Sequence, residues 1–439
     1  MSRMQLILLL TVNLLLFANC LYLFAIILAG FINRSRTDAR QSDSPPRRLA
    51  VLIPAHNEEL LIEGAIGSLI HQDYPKDLYT IFVVADNCTD NTASIAKSLG
   101  AQVITRTDKT KRGKGYALAK GIQHIFDLNR SRSQNSEPEY NFDLNRSRSQ
   151  NSEPEYNLNQ SQSQNPEPEY EAVVIIDADA SCDPKLLWEL SAVIGRNSPV
   201  AQALYLGSNP QESWRTRLQQ IAWAIFNFLR PLGRSSLGFS SGLLGNGMCF
   251  HLSLFKTIPW EAFSITEDSE FAIKLLLAGI NVRFAPQARL YSQMAKTAAQ
   301  ASDQRLRWER GRSSLLKQFA PSLIKAALKG NLAALDQFLD LLTPPVTTLA
   351  LAVLLVLGLD LFASPALSAL PIASILLLAS CLMMGMISIR APLSLYLALL
   401  NLPVYILWRL SLKLINRKRT DQIQWTRTAR HKTNVRRPT

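Results

Sequence analysis

The longest apolar runs of this chain sit at its two ends, and no single soluble core can absorb both. Residues 6 to 32, "LILLLTVNLLLFANCLYLFAIILAGFI", contain no charged side chain, and about 20 apolar residues already cross a hydrocarbon core. A secretory signal is the rival reading, but the run is too long for a signal's apolar region and lacks a small-residue cleavage site. Arg34, Arg36, Arg40, Arg47 and Arg48 follow it, which by the positive-inside tendency puts the middle of the chain in the cytoplasm. A second apolar region runs from about 341 to 415, in blocks near 346 to 363, 367 to 389 and 393 to 408. The first two are long enough to span. The third is shorter, carries Asn401 and Pro403, and runs into Arg409, Lys413 and "NRKR". Three crossings there would put the basic tail outside the cytoplasm, so the expectation is one crossing before the central domain, two after it, and an interfacial or re-entrant third block.

The expected organisation is a transmembrane anchor at 1–33, a cytoplasmic domain at 45–330, a membrane region at 338–415 and a basic cytoplasmic tail at 416–439, in the inner (plasma) membrane. The net charge of +13 gathers beside the apolar segments and in the tail. That placement suits an anionic membrane surface and argues against a nucleic-acid partner. The five cysteines form no C-x-x-C pair and no metal-ligand spacing, which points away from a disulfide framework or a zinc site.

From residue 49, short β-rich runs alternate with helical segments: "LAVLIPA" then "EELLIEGAIGSLIHQ", "YTIFVVA" then "NTASIAKSLG", "AQVITR" then "KGYALAKGIQHI". This alternation predicts an α/β fold with a parallel sheet covered by helices, and ligand chemistry at the carboxyl ends of the strands. Residues 126–141 are repeated identically at 142–157, and "LNQSQSQNPEPEYE" follows as a degenerate copy. The tract is poor in apolar residues, so 126–171 is expected to be a disordered insertion rather than a packed repeat. "ESWRTRLQQIAWAIFNFLRPLG" puts Trp214, Leu218, Ile221, Ala222, Ile225 and Leu229 on one helical face. Both a core-facing helix and a helix at the membrane interface fit that pattern.

The strand "AVVIIDADASCDP" ends in Asp177, Asp179 and Asp183. Two carboxylates two residues apart repel unless a cation lies between them, and hard oxygen ligands suit Mg²⁺ or Mn²⁺ that also holds a diphosphate. An earlier strand ends in Asp86, placed to accept hydrogen bonds from a nucleobase or ribose. "KTKRGKGYAL" offers Arg112 and Lys114 at a helix start, where phosphate oxygens are favoured. An acid, a basic loop and a metal-binding pair, in that order, form the outline of a nucleotide-sugar site.

On these motifs the chain resembles the membrane-bound branch of glycosyltransferase family 2, which includes cellulose, chitin and hyaluronan synthases and ceramide glucosyltransferase. The resemblance rests on Asp86, on Asp177-Ala178-Asp179, on "SITEDSEFAIKLLLAGINVRFAP" and on "QRLRW", in the family's order and over about residues 49–312. It implies a GT-A, Rossmann-like nucleotide-diphospho-sugar transferase domain with flanking transmembrane helices, acting on a UDP-sugar. It implies further that Asp268, with Glu267 beside it, forms the catalytic pair, Asp268 as general base. Gln304 and Arg307 would face the diphosphate and Trp308 the acceptor sugar. Asp86, Arg112, Lys114 and Asp177 would hold the nucleotide sugar, and Asp177 and Asp179 the metal. "GLLGNGMCF" stands where the family places a loop near the acceptor, which puts Asn246 and Gly247 beside it, although its wording departs from that of the cellulose synthases. Single displacement inverts the anomeric carbon, so an α-linked donor gives a β-glycosidic bond. A glycan and a lipid acceptor both fit, as polymer synthesis or single transfer. A non-catalytic scaffold or sugar-nucleotide sensor is the reading from another class, and the intact acids at 177, 179 and 268 speak against it.

Overall fold

The computed structural model describes residues 2–35, 45–135, 169–195, 197–295 and 298–415. The expectations for residues 136–168 of the insertion, for the tail 416–439, and for Arg36 and Arg40 lie outside the described residues.

After a long helix α1 (Arg3–Asn33) come β1 (Leu49–Ala55), α2 (Ile62–Ile70), β2 (Tyr79–Asp86), α3 (Thr92–Ser98), β3 (Gln102–Arg106) and α4 (Lys114–Asn135). Next are β4 (Ala172–Ile175), β5 (Ala180–Cys182), α5 (Leu186–Val193) and β6 (Val200–Gly207). Then α6 (Trp214–Trp223) runs through a π-helical turn, Ala224–Leu229, into α7 (Arg230–Ser236). The domain closes with β7 (Met248–His251), α8 (Glu267–Leu277), β8 (Arg283–Ser292) and α9 (Ala298–Leu328). Finally α10 (Leu332–Leu342), α11 (Val346–Ala363), α12 (Ala369–Ser388), α13 (Leu393–Ala398) and α14 (Leu402–Ile415) complete the described chain.

The strands make one sheet in the order β3-β2-β1-β4-β7-β6-β8-β5. β1 runs parallel to β2 and β4, and β2 parallel to β3, whereas β7 is antiparallel to both β4 and β6. Side chains alternate across a strand, and β1 shows the result. Leu49, Val51, Ile53 and Ala55 pack with α2 (Ile62, Ile66, Leu69) and α5 (Leu186, Leu187, Leu190). Ala50 and Leu52 pack on the other face with α4 (Leu118, Ile122, Ile125) and α8 (Phe271, Leu275). Because β7 is antiparallel, the loop entering it lies at the same edge as the carboxyl ends of β1, β2 and β4. That edge carries the site.

Part of the expected insertion is ordered structure. α4 continues to Asn135 through the first residues of the repeat, because Phe126 and Leu128 pack against the sheet's helical layer. Asn129 Nδ2 donates to Tyr170 O (2.8 Å), and the Tyr170 amide donates back to Asn129 Oδ1 (2.9 Å). The two flanks of the repeat tract are thereby joined at its base.

Three helical stretches are long and apolar enough to cross a membrane: Arg3–Asn33, Val346–Ala363 and Pro365–Ser388; Leu393–Trp408 is shorter. The helix from 214 to 229 lies between these candidate spans and the sheet: Leu218, Ile221, Ile225 and Leu229 pack with Leu23 and Ile27 of α1 and Cys381 and Met384 of α12, while Trp223 packs on Tyr205 of β6. α1 and α7 cross through Gly30 and Gly233. A Cβ on Gly30 would lie 1.9 Å from Leu229 O, and one on Gly233 would lie 1.9 Å from Ile26 O. Small residues permit this close backbone approach.

Candidate active site

The acids lie in the turn that leads from β4 into β5. Ala178 is 4% exposed, whereas Asp177 and Asp179 on either side of it are half-buried. The Asp177 amide donates to Asn246 Oδ1 (3.0 Å), and Ser292 Oγ donates to Asp179 Oδ1 (3.3 Å). The loop before β7 and the end of β8 thus hold the two acids from opposite sides.

Lys114, the first residue of α4, reaches into the same space. Its Nζ donates to Asp177 Oδ1 (2.5 Å) and Gly245 O (2.5 Å), and lies 3.8 Å from Glu267 Oε1. Burial alone would lower the ammonium's pKa, but the charges of Asp177, Glu267 and Asp268 outweigh it and the pKa is raised. Arg112, two residues earlier, is exposed. The basic loop therefore splits, one cation inside the site and one at its surface.

Glu267 and Asp268 open α8, where the N-terminal dipole favours acids. Burial pushes the Glu267 carboxyl up to about 7, against the pull of Lys114. Burial likewise raises Asp268, opposed by the Ser269 amide, which donates to Asp268 Oδ1 (2.7 Å), and by Lys114. Thr266 makes no capping bond, and its Oγ1 is buried without a partner among the described residues. Gly245 stands at φ +78°, a conformation natural to glycine. A Cβ there would lie 3.1 Å from Asp268 Oδ2 and 3.7 Å from Lys114 Nζ, so the Asp268 carboxylate, the ammonium and the loop meet at one point.

Asp86 is 1% exposed at the end of β2. Its Oδ1 accepts from Arg106 Nη1 (2.5 Å) and Asn87 Nδ2 (3.1 Å), while its Oδ2 is buried without a partner among the described residues. A shielded acceptor with no donor is what an incoming ribose hydroxyl or nucleobase N–H would satisfy. Arg106 was not singled out from the sequence, although β3 pairs it in register with Asp86.

Asn246 and Gly247, expected beside the acceptor, lie in the loop that enters β7. Asn246 is fully buried: Oδ1 is taken by Asp177 N, and its carbonyl accepts from Gln202 Nε2 (2.7 Å). Gly247 N donates to Ile175 O (3.0 Å), and Gly247 O accepts from Ala203 N (2.8 Å). Asn246 Nδ2 donates to Ser292 Oγ (3.4 Å), so the polar atoms of both residues bond the neighbouring strands and the turn that carries the acids. Gln304, Arg307 and Trp308 lie on α9 at positions i, i+3 and i+4, which share a face. Gln304 and Arg307 are half-buried and bond none of Asp177, Asp179 and Asp268, while Trp308 is exposed. α9 touches the catalytic turn through Gly311, where a Cβ would lie 2.3 Å from Thr266 Cγ2.

A divalent cation fits this donor set in part. Among the described residues no group of three or more His, Cys, Asp or Glu side chains could hold an ion alone. Asp177 and Asp179 supply two hard oxygen ligands, and the remaining positions suit diphosphate oxygens and water, the usual coordination of Mg²⁺ at phosphate sites.

A parallel α/β half-sheet joined to an antiparallel strand, with carboxylates gathered on one edge, defines a nucleotide-sugar transferase of the GT-A class. Residues 45–311 match the family described as "Glycosyltransferase like family 2", and the chain belongs to that family. A probable glycosyltransferase of Bacillus subtilis, YdaM, is 23% identical over 64% of this chain and 59% of its own length. The 4,4'-diaponeurosporenoate glycosyltransferase of Staphylococcus aureus is 35% identical over 21% of this chain and a quarter of its own (25%). The chain thus matches less than two thirds of either relative. Among solved structures, the mannosyltransferase PcManGT of Pyrobaculum calidifontis, in complex with GDP-Man and Mn²⁺, aligns over 90% of this chain and 98% of its own, at 16% identity and a TM-score of 0.50. This likeness supports the GT-A fold.

Proposed function

We propose that the protein is an inverting glycosyltransferase that moves a sugar from a UDP-sugar to a hydroxyl of a glycan or lipid acceptor at the cytoplasmic face of the inner membrane. The observation that carries this reading is the convergence of Asp268, Lys114 and Asp177 on the Gly245 turn. Asp268 takes the proton from the acceptor hydroxyl as that oxygen bonds to the anomeric carbon. The bond from that carbon to the diphosphate breaks in the same displacement, UDP leaves with the electron pair, and an α-linked donor yields a β-linkage. Bound at Asp177 and Asp179, Mg²⁺ or Mn²⁺ would supply Lewis-acid neutralisation of the diphosphate. Lys114 pairs with Asp177 and holds positive charge beside the leaving group. Asp86 Oδ2 orients the nucleoside, and Gln304 and Arg307 close over the diphosphate with Trp308 toward the acceptor.

Membranes holding the protein, given radiolabelled UDP-glucose or UDP-N-acetylglucosamine with either metal, should yield labelled lipid-soluble product or labelled polymer, which extraction separates. Asp268→Asn should reduce kcat by roughly 10²–10⁴, the usual share of a general base, with donor affinity retained. Equal transfer by this variant would remove Asp268 from the role.

A further inference from the structure

A cavity of about 330 Å³ lies away from the acids, where the sheet meets the membrane helices. This volume falls within the range of small-molecule sites, about 300–1,000 Å³. Its floor is apolar: Leu204 and Leu206 of β6, with Trp223 and Phe228 from the helix that packs on α1 and α12. Ser388 and Ile389, at the end of α12, complete the wall. α12 is one of the three segments apolar enough to span a bilayer, and its last residues form part of the cavity wall. Its rim is polar. Arg289 is exposed there, and Gln220 lines the cavity with an Oε1 that is shut off from water and has no donor among the described residues. An apolar floor with Gln220 and Arg289 among its lining complements an amphiphile with a hydrocarbon chain and a polar head.

An aromatic contact links the cavity's wall to the site. The Trp223 ring packs on Tyr205 at 4.9 Å between centroids. The Tyr205 hydroxyl lies by Ser292 and Asn246, the residues that hold Asp179 and Asp177. One aromatic pair separates the apolar floor from the acids.

We infer that this cavity holds the hydrocarbon chain of a lipid acceptor whose head group enters the transferase site past Tyr205. The inference rests on the transferase reading and narrows its acceptor to a membrane amphiphile. The test uses the full chain reconstituted in phospholipid nanodiscs, with a long-chain fatty alcohol carrying a mid-chain diazirine as probe. Irradiation followed by peptide mass spectrometry should place label on residues of 204–206 and 223–228, and unlabelled alcohol should compete. Ala224→Phe, which fills the space, should cut that labelling about ten-fold. Leu206→Ala, which enlarges it, should raise labelling by a longer-chain probe. Label confined to the bilayer-facing surfaces of α1, α11 and α12, or unchanged by both substitutions, overturns the inference. UDP binding by calorimetry is read on the same samples and should be equal in wild type and variants. Loss of it in the wild type would count against the transferase reading, while the labelling pattern would still decide the lipid site.

Discussion

Lys114 sets the charge balance of the site, because it is the cation nearest to three acids that repel one another. Removing it as Lys114→Met leaves Glu267 and Asp268 buried with no opposing charge, so both carboxyls, already raised by burial, hold their protons to still higher pH. Since the base must be ionised to act, the acid limb of the kcat/KM profile should move toward higher pH, and a pH–rate series on the variant checks the direction. Gly245→Ala tests geometry instead of charge. The new methyl would be strained at φ +78° and would press on Asp268 Oδ2 at 3.1 Å, so kcat should fall while UDP binding persists. At this scale the sequence showed residue types better than their partners. Asp177 and Asp179 stand out because like charges so close together repel, and Asp268 because of the family motif around it. Arg106 and Ser292 do not, because their roles depend on which strands become neighbours. For Asn246, too, the sequence hides the partners that engage it, the Gln202 side chain of β6 and the Asp177 amide.

Helices α1 and α7 show how an element is fixed by what it lacks. Their crossing leaves no room for a side chain at Gly233, whose Cβ would stand 1.9 Å from a backbone carbonyl. Gly233→Val should therefore separate the helices and lower the thermal midpoint of the detergent-solubilised protein by several degrees, an effect of roughly 1–3 kcal/mol. The π-helical turn just before has its own cause. Pro231 lacks an N–H and cannot close the ordinary turn at that point, and the helix widens over Ala224–Leu229. Apolar periodicity identified the helix from 214 to 229 but left two possible faces. Its partner, the membrane region, is more than a hundred residues further along the chain. The strands and helices of the parallel half were legible because each is a local pattern. α4 was cut short in the reading at 126 because the repeat's polar composition hides Phe126 and Leu128, which extend the apolar face by one more turn.

The whole molecule is held together by a buried charge network where the domain meets the membrane helices. Arg234 of α7 donates to Asp336 Oδ2 of α10 (2.7 Å) and to Gln337 Oε1 (2.9 Å), and Tyr22 of α1 donates to Asp336 Oδ1 (2.8 Å). Arg230 pairs with Asp340 nearby. On the following helix-to-helix junction, Arg312 of α9 donates to Leu341 O (3.2 Å) and Thr343 O (2.7 Å). Arg234 and Asp336 are each 3% exposed, and stripping one partner from such a pair costs about 3–5 kcal/mol. Arg234→Met should unfold the protein at markedly lower temperature, and the double variant with Asp336→Leu should recover part of that loss, as a thermodynamic cycle would record. No local pattern announces this network, since its members span residues 22 to 340. The repeats raise a different matter. Asn129 and Tyr170 clasp the two strands of chain that lead into and out of them, so every copy gained or lost lies beyond a closed gate. Lys114, at the opposite end of α4, is therefore positioned by residues outside the enclosed span.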